Sequence, residues 1–281
     1  MNIINAIINL ANNPVVKVMA TYKSKNRANS TGDALEEYVK DLFAGTFDTS
    51  KKERIKKWNQ VFSYLGGSNS PPDAMLKEGD ALEVKKIESD SQIALNSSYP
   101  KHKLYSDDSK ITQRCKDAEK WDEKDIIYIV GIVNGGLLKS LCMVYGLDYC
   151  ASRECYEGLL NCIKEGVISV PDVDFSPTKE IAHINKVDPL KITYMRVRGM
   201  WGIENPWSVF DYVYERDDDA EFNFMCIINE DKWNTFENTK DLEELALSNE
   251  LLKISEVEIQ DPDNPATLIK AKLITITKKG E

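Results

Sequence analysis

The sequence predicts an α/β protein, a central mixed β-sheet flanked by helices with a β-rich C-terminal part. Three observations carry that prediction. The segment ending at Phe43 repeats apolar residues with the period of a helix, PPDAMLKEGDALEVKKIES (71–89) and DIIYIVGIV (125–133) read as strands, and strand-like runs return after Ala220. With 281 residues, 42% of them hydrophobic and 29% charged, the chain can bury one large core.

At the start, Ile3, Ile4, Ile7, Ile8 and Leu10 suggest a short amphipathic helix packed on the body or on a second subunit. That opening has neither a basic region nor a signal cleavage site, and no apolar run reaches the roughly 18 residues of a membrane span. A cytoplasmic protein without membrane contact is expected. The next helix carries Leu35, Val39, Leu42 and Phe43 on its apolar stripe, with Ser30, Thr31 and Asp33 available as caps. Glu36 flanks the stripe and could project into an adjacent cleft, or be an ordinary solvated helix glutamate. Lys51, Lys52, Arg54, Lys56 and Lys57 form a basic helical run, either a nucleic-acid face or a solvated one.

The stretch from Pro71 to Ser89 is the most informative. Ala74 to Leu76 reads as one strand, 77–80 as a turn containing Gly79, and Ala81 to Ile87 as the second strand of a hairpin. Side chains alternate along a strand, so Glu83, Lys85 and Ile87 share one face, with Leu82, Val84 and Lys86 opposite. Folding about Gly79 brings Asp73 alongside Glu83, and two converging carboxylates suit a hard divalent cation. Magnesium, with the Val84 backbone carbonyl as a further ligand, fits that oxygen-rich shell. Lys85 is placed to orient or help deprotonate an attacking water and to offset charge on a phosphate. An acidic residue followed by an E-x-K triplet also arises by chance in so charged a chain.

Downstream, ALNSSYPKHKL (94–104) gathers Asn96, Ser97, Ser98, Tyr99, Lys101 and His102. It reads as a loop that grips phosphate oxygens, or as a polar turn before Pro100. Asp125 to Val133 is a buried strand, and Leu141 to Tyr145 another after the 134–136 turn. A helix follows from Ser152 to Glu165, on which Cys155 and Cys162 fall on one side and read as packing residues. Lys191 to Val197 reads as a strand, 199–202 as a break in regularity, and 205–207 as a turn. Arg196 and Arg198 alternate onto one face, apt either to read guanine O6 and N7 or to pair with phosphates or local acids such as Glu204. Beyond Ala220, FNFMCII, KWNTF, LLKISEVEI and TLIKAKLITI look like strands, with a helix around Thr239 to Ser248.

Six cysteines without a C-x-x-C pair, and two histidines, indicate neither a zinc site nor a disulfide framework, so the cysteines read as reduced core thiols. The scarcity of histidine also weighs against histidine-dependent nuclease chemistry. A formal net charge of −10 has the wrong sign for a protein that coats nucleic acid indiscriminately, but a specific cutter needs positive potential only along its cleft.

In their order and combination, GDALEEYVKDLF (32–43), VFSYLG (61–66), PPDAML with EVKKIES, ALNSSYPK, EKWDEKDIIYIVG (119–131) and RVRGMWGIENPW (196–207) resemble the PD-(D/E)xK type II restriction endonucleases, specifically the NgoPII family. The resemblance implies a restriction-endonuclease-like core within 1–210, including a DNA-reading segment 191–207. It leaves 211–281 as a C-terminal β-rich extension or part of the same domain. It also implies magnesium-dependent cleavage of unmodified double-stranded DNA at the palindrome GGCC, giving 5′-phosphate and 3′-hydroxyl ends. A homodimer in a prokaryotic cell with a cognate DNA methyltransferase goes with that activity. Asp73, Glu83 and Lys85 would take the catalytic roles, with Glu36 matching the family's helix glutamate. The rivals are a structure-specific repair or junction nuclease on the same core and a DNA-binding module that does not cut.

Overall fold

The computed structural model describes residues 1–14, 30–47, 49–67 and 70–280. Its centre is a nine-stranded mixed sheet in the order β1-β2-β3-β6-β7-β12-β14-β13, with β5 pairing β6 off that path. These strands are β1 (Phe62–Gly67), β2 (Ser70–Leu76), β3 (Ala81–Ile87), β5 (Lys103–Tyr105), β6 (Glu123–Asn134), β7 (Leu137–Tyr145), β12 (Ala220–Asn229), β13 (Leu252–Gln260) and β14 (Leu268–Lys279). The β3–β6 and β7–β12 pairs are parallel, the other pairs antiparallel. The C-terminal strands β12 to β14 continue this same sheet.

Both faces are covered, which is why β6 is an almost unbroken apolar run. On one face Leu82, Val84, Ile127, Ile129, Met143 and Phe224 meet α1 (Ile3–Asn12) and α2 (Ser30–Ala44). The apolar stripe of α2, Leu35, Val39, Leu42 and Phe43, is fully buried there. Its expected caps Ser30, Thr31 and Asp33 lie outside the residues whose side chains are described. Helix α1 opens with a capping box between Asn2 and Asn5, so its backbone donors are satisfied before it buries Ile3, Ile4, Ile7 and Leu10. On the other face Tyr128, Val130, Cys142, Val144, Met225 and Ile227 pack with Ile93, Leu95, Trp207 and Phe210. The basic run lies on α3 (Lys51–Val61), with Lys51, Lys52, Lys56 and Lys57 exposed and Arg54 paired to Asp41 and Glu37.

An ionic clamp anchors the turn of the β2–β3 hairpin. Lys232 Nζ donates to Asp80 at 2.8 Å and to Asp125 on β6 at 2.6 Å, and Tyr145 Oη donates to the other oxygen of Asp80. Replacing Lys232 by Ala strands two poorly solvated carboxylates against each other. A loss of about 3 kcal/mol is expected, the usual cost of breaking a buried pair from one side, read as a lower urea midpoint.

Several local readings differ from the structure. β2 begins at Ser70, earlier than Ala74. β10 (Tyr194–Val197) starts later than Lys191 because the Asp188 carboxylate takes the N–H groups of Leu190, Ile192 and Thr193, and Lys191 adopts a left-handed φ of +59°. KWNTF forms no strand: Lys232 and Trp233 end the short helix α8 (Glu230–Trp233), capped by Asn229. Helix α6 (Arg153–Ile168) buries no residue outright, and Cys155 and Cys162 are exposed, whereas Cys115, Cys142, Cys150 and Cys226 are core thiols. None of the six forms a disulfide.

Two small sheets flank the large one: β8 (Asp174–Ser176), β9 (Ala182–Asn185) and β10 make the first, β4 (Ile93–Asn96) and β11 (Trp201–Ile203) the second. The region read as a break, 199–202, therefore enters a strand, pairing Trp201 with Asn96 and Gly202 with Ala94. No described helix is long and apolar enough to cross a membrane.

Candidate active site

The β2–β3 ladder pairs Ala74 with Leu82 and Met75 with Ala81, then stops. Pro72 and Pro71 have no N–H to offer, so the strands part, and a side chain takes over from the ladder. Asp73 Oδ2 accepts from the Val84 N–H at 2.7 Å. On the same stretch of β3, Glu83 Oε1 accepts from Lys85 Nζ at 2.6 Å. Asp73, Glu83 and Lys85 thus line one cleft of about 270 Å³. Alternation along β3 explains the sorting: Leu82 and Val84 enter the helix-side core while Glu83 and Lys85 turn to the cleft.

Burial raises the Asp73 pKa more than Lys85, the Val84 N–H and Lys40 lower it. Glu83 is pushed up to about 7, first by burial and then by the Asp73 charge, against the pull of Lys85. Burial works against the Lys85 ammonium, yet Glu83, Asp73 and Glu36 together hold its pKa above the ordinary lysine value. Lys85 is therefore a cation throughout the neutral range, a donor rather than a proton acceptor. Glu36 pairs with Lys40 at 3.6 Å on α2, and its charge is felt by both Glu83 and Lys85.

The opposite wall is the segment after β4. Asn96 takes a left-handed φ of +54°, tolerable for Asn, and starts the turn that sets Ser97, Ser98 and Tyr99 around the cleft. Lys101 also lines it, but is itself buried, its Nζ 2.5 Å from Asp108 and 3.6 Å from the Tyr99 ring centroid. Arg198 lines an adjoining cavity of about 440 Å³ that shares Asn96, Ser97 and Lys110 with the first. Arg196 lines neither. Both arginines pair with Glu180, while Glu204 accepts from Gln92. The pairing lowers the Glu180 pKa, chiefly through the Arg196 hydrogen bond.

Among the described residues no group of three or more His, Cys, Asp or Glu side chains converges. The donor set that remains still fits a hard cation. Glu83 Oε2 is buried without a hydrogen-bond partner among the described residues, and Asp73 Oδ1 stands beside its committed Oδ2. Two carboxylates and no soft ligand are what a divalent ion that keeps several waters requires.

The family model described as NgoPII restriction endonuclease matches residues 1–260. The chain belongs to the NgoPII restriction endonuclease family. It is also 61% identical, over 277 residues, to the type II restriction enzyme NgoPII of Neisseria gonorrhoeae, covering 98% of this chain and 99% of that one. No solved structure matches. As an NgoPII-family member the chain is a type II restriction endonuclease, a site-specific deoxyribonuclease whose substrate is DNA and whose reaction class uses a divalent metal. The rival readings of a repair nuclease and of a module that does not cut fall away.

The sequence reading of this NgoPII-family site passed over Lys110, Tyr128 and Lys40. Lys110 borders both cavities, Tyr128 Oη accepts from the Lys101 N–H, and Lys40 acts on Asp73. Lys40 and Tyr128 lie inside segments that carry the family resemblance but had been given no role there, and Lys110 lies outside them; only the tyrosine's place in the apolar run of β6 hinted that its hydroxyl needed a polar neighbour. β1 supplies one more constraint. A Cβ on Gly66 would lie 2.5 Å from the Asp73 carbonyl oxygen and 2.8 Å from its Cα, both backbone atoms. Gly66→Ala should therefore push Asp73 out of register, costing about 1–3 kcal/mol of stability and slowing cleavage far more than that loss of folded protein explains. Matched melting curves and single-turnover rates check this.

Proposed function

We propose that this enzyme hydrolyses both strands of duplex DNA at GGCC with Mg2+ held by Asp73, Glu83 and the Val84 carbonyl. Support comes above all from the Asp73–Glu83 pair beside Lys85 in one cleft, with one Glu83 oxygen buried and unpartnered among the described residues. Magnesium, when bound, would act as a Lewis acid on the scissile phosphate. The rest of the mechanism is the chain's own. Asp73 is fixed by the Val84 N–H, so the two carboxylates keep their spacing without a ladder bond. Lys85 stays protonated, offsets charge developing on the phosphate oxygens and donates to the attacking water to orient it. Glu36 adds a third, more distant negative charge that reinforces the hold of Glu83 and Asp73 on the Lys85 ammonium.

In this reading Asn96, Ser97 and Ser98 donate to backbone phosphates, Lys101, its charge balanced by Asp108, braces the loop behind them rather than gripping DNA, and Arg196 and Arg198 belong to the base-reading arm. Residues 1–210 carry the catalytic and reading parts, and 211–281 complete the sheet. A palindrome presents each strand to an identical site, so the working unit is a homodimer. Self-protection calls for a methyltransferase of the same specificity in the same cytoplasm. The products carry 5′-phosphate and 3′-hydroxyl ends.

The test is incubation of purified protein with a sequenced, unmethylated plasmid in Mg2+, beside a chelator control, followed by sequencing of fragment ends. Discrete ends at every GGCC, absent with chelator, are expected. Ends at another palindrome would discard the target and keep the chemistry; no cleavage on any duplex would sink the mechanism.

A further inference from the structure

We infer that Arg198 reads guanine with the outer end of its guanidinium, and that Glu180, itself clamped by Arg196, is the positioning residue that aims it. This deepens the reading above and rests on its duplex substrate. The two arginines are not equivalent. Arg196 binds Glu180 side-on, Nε to one carboxylate oxygen at 2.8 Å and Nη2 to the other at 2.6 Å, so its fork is spent on that partner. Arg198 comes closest to Glu180 through Nε, 2.6 Å from the oxygen that also accepts from Arg196 Nη2, and its two Nη groups make no hydrogen bond among the described residues. Those donors lie parallel, as guanine O6 and N7 require. Arg198 lines the cavity that shares Asn96, Ser97 and Lys110 with the catalytic cleft, and Arg196 does not. A guanine edge at Arg198 and a phosphodiester at Asp73 and Glu83 then lie on one continuous surface.

Glu180 is fitted to aim a neighbour. Its own N–H donates to Thr178 Oγ1 at 3.1 Å, and the next N–H, of Ile181, donates to the Val197 carbonyl at 3.1 Å, between the two arginines in sequence. The carboxylate is 16% exposed, whereas the arginines are 49% and 53% exposed. One carboxylate against two guanidiniums leaves the cluster with one net positive charge, so it can meet DNA without repelling it.

The experiment first maps the cut site, then cleaves in one tube two duplexes carrying guanine or 7-deazaguanine, which lacks N7, at each guanine in turn. For the wild type the analogue at the read position should slow single-turnover cleavage about tenfold or more. Arg198→Ala should collapse that ratio to near one, whereas Arg196→Lys should keep most of it. Glu180→Ala should lower the ratio close to that of Arg198→Ala, and Glu180→Gln, whose amide oxygen still accepts from Nε, should restore part of it. A variant too slow to cut is scored by competition of the same duplexes for binding, after its melting curve shows it folded. A ratio unchanged in Arg198→Ala or in Glu180→Ala, or a collapse in Arg196→Lys alone, overturns the assignment. If cleavage falls at GGCC and the ratio never moves, only this inference fails. A mapped site without guanine removes the proposed target together with it.

Discussion

Glu83→Gln at pH 8 should cut DNA about a thousandfold more slowly, a loss at the upper end of what one charge-stabilising group contributes, and yet melt at a higher temperature than the wild type in chelator. The two effects have one cause. Glu83 is buried beside Asp73, and both carboxylates are raised by desolvation, so the metal-free fold bears the cost of holding negative charge out of water. A neutral amide of the same shape relieves that cost and can still accept from Lys85, but it is a poor ligand for a hard cation. A gain of about 1 kcal/mol would raise the melting temperature of a domain this large by about 2–4 °C. Scanning fluorimetry in chelator and single-turnover cleavage in Mg2+ give both numbers. A variant that cuts normally, or one that melts lower, would show that Glu83 is a structural glutamate.

Metal and protons should compete for the same site. Glu83 moves from an ordinary value near 4.5 up to about 7 on folding, so the native state holds a proton that the unfolded chain has released. The stability tied to that proton is complete below about pH 4.5 and is lost as pH rises through 7. The shift corresponds to about 3 kcal/mol. The Asp73 shift has the same sign. The metal-free enzyme should therefore lose stability between pH 5 and pH 8 through this site, while stabilisation by Mg2+ grows over the same range and levels off above 7. Calorimetry in two buffers of unlike ionisation heat should show proton release on Mg2+ binding at pH 6 and little at pH 8.5. In Glu83→Gln the pH trend should flatten. A wild-type protein whose Mg2+ response is the same at pH 6 and pH 8 would contradict the burial described for Glu83.

The β2–β3 hairpin was legible because its information is local. Alternation sorts Leu82 and Val84 from Glu83 and Lys85, and Gly79 marks the turn that brings Asp73 back. The buried strand at 125–133 and the helix at 239–248 were equally plain from period and length. What failed depends on partners distant in sequence. Trp201 becomes strand only because Asn96 lies beside it, and Arg196 and Arg198 choose Glu180 over Glu204 because β9 and β10 pair. Lys110 carries no pattern at all and gains its place from two loops that meet over the cleft. The packing role expected of Cys155 and Cys162 rested on their sharing one side of helix α6, but that side faces solvent and the helix buries no residue outright.

Those two thiols make the enzyme easy to instrument. Thiol-directed dyes react with accessible thiolate. Burial pushes Cys115 up to about 11 and drives Cys142, Cys150 and Cys226 higher still, so these four are poor targets for a maleimide at neutral pH. Labelling should therefore fall on α6 without removal of any native cysteine. Leu160, Asn161 and Lys164 of the same helix border the cavity beside Arg198, and the helical period turns Cys155 and Cys162 to its other side, so a fluorophore on either should tag the protein while leaving that cavity open.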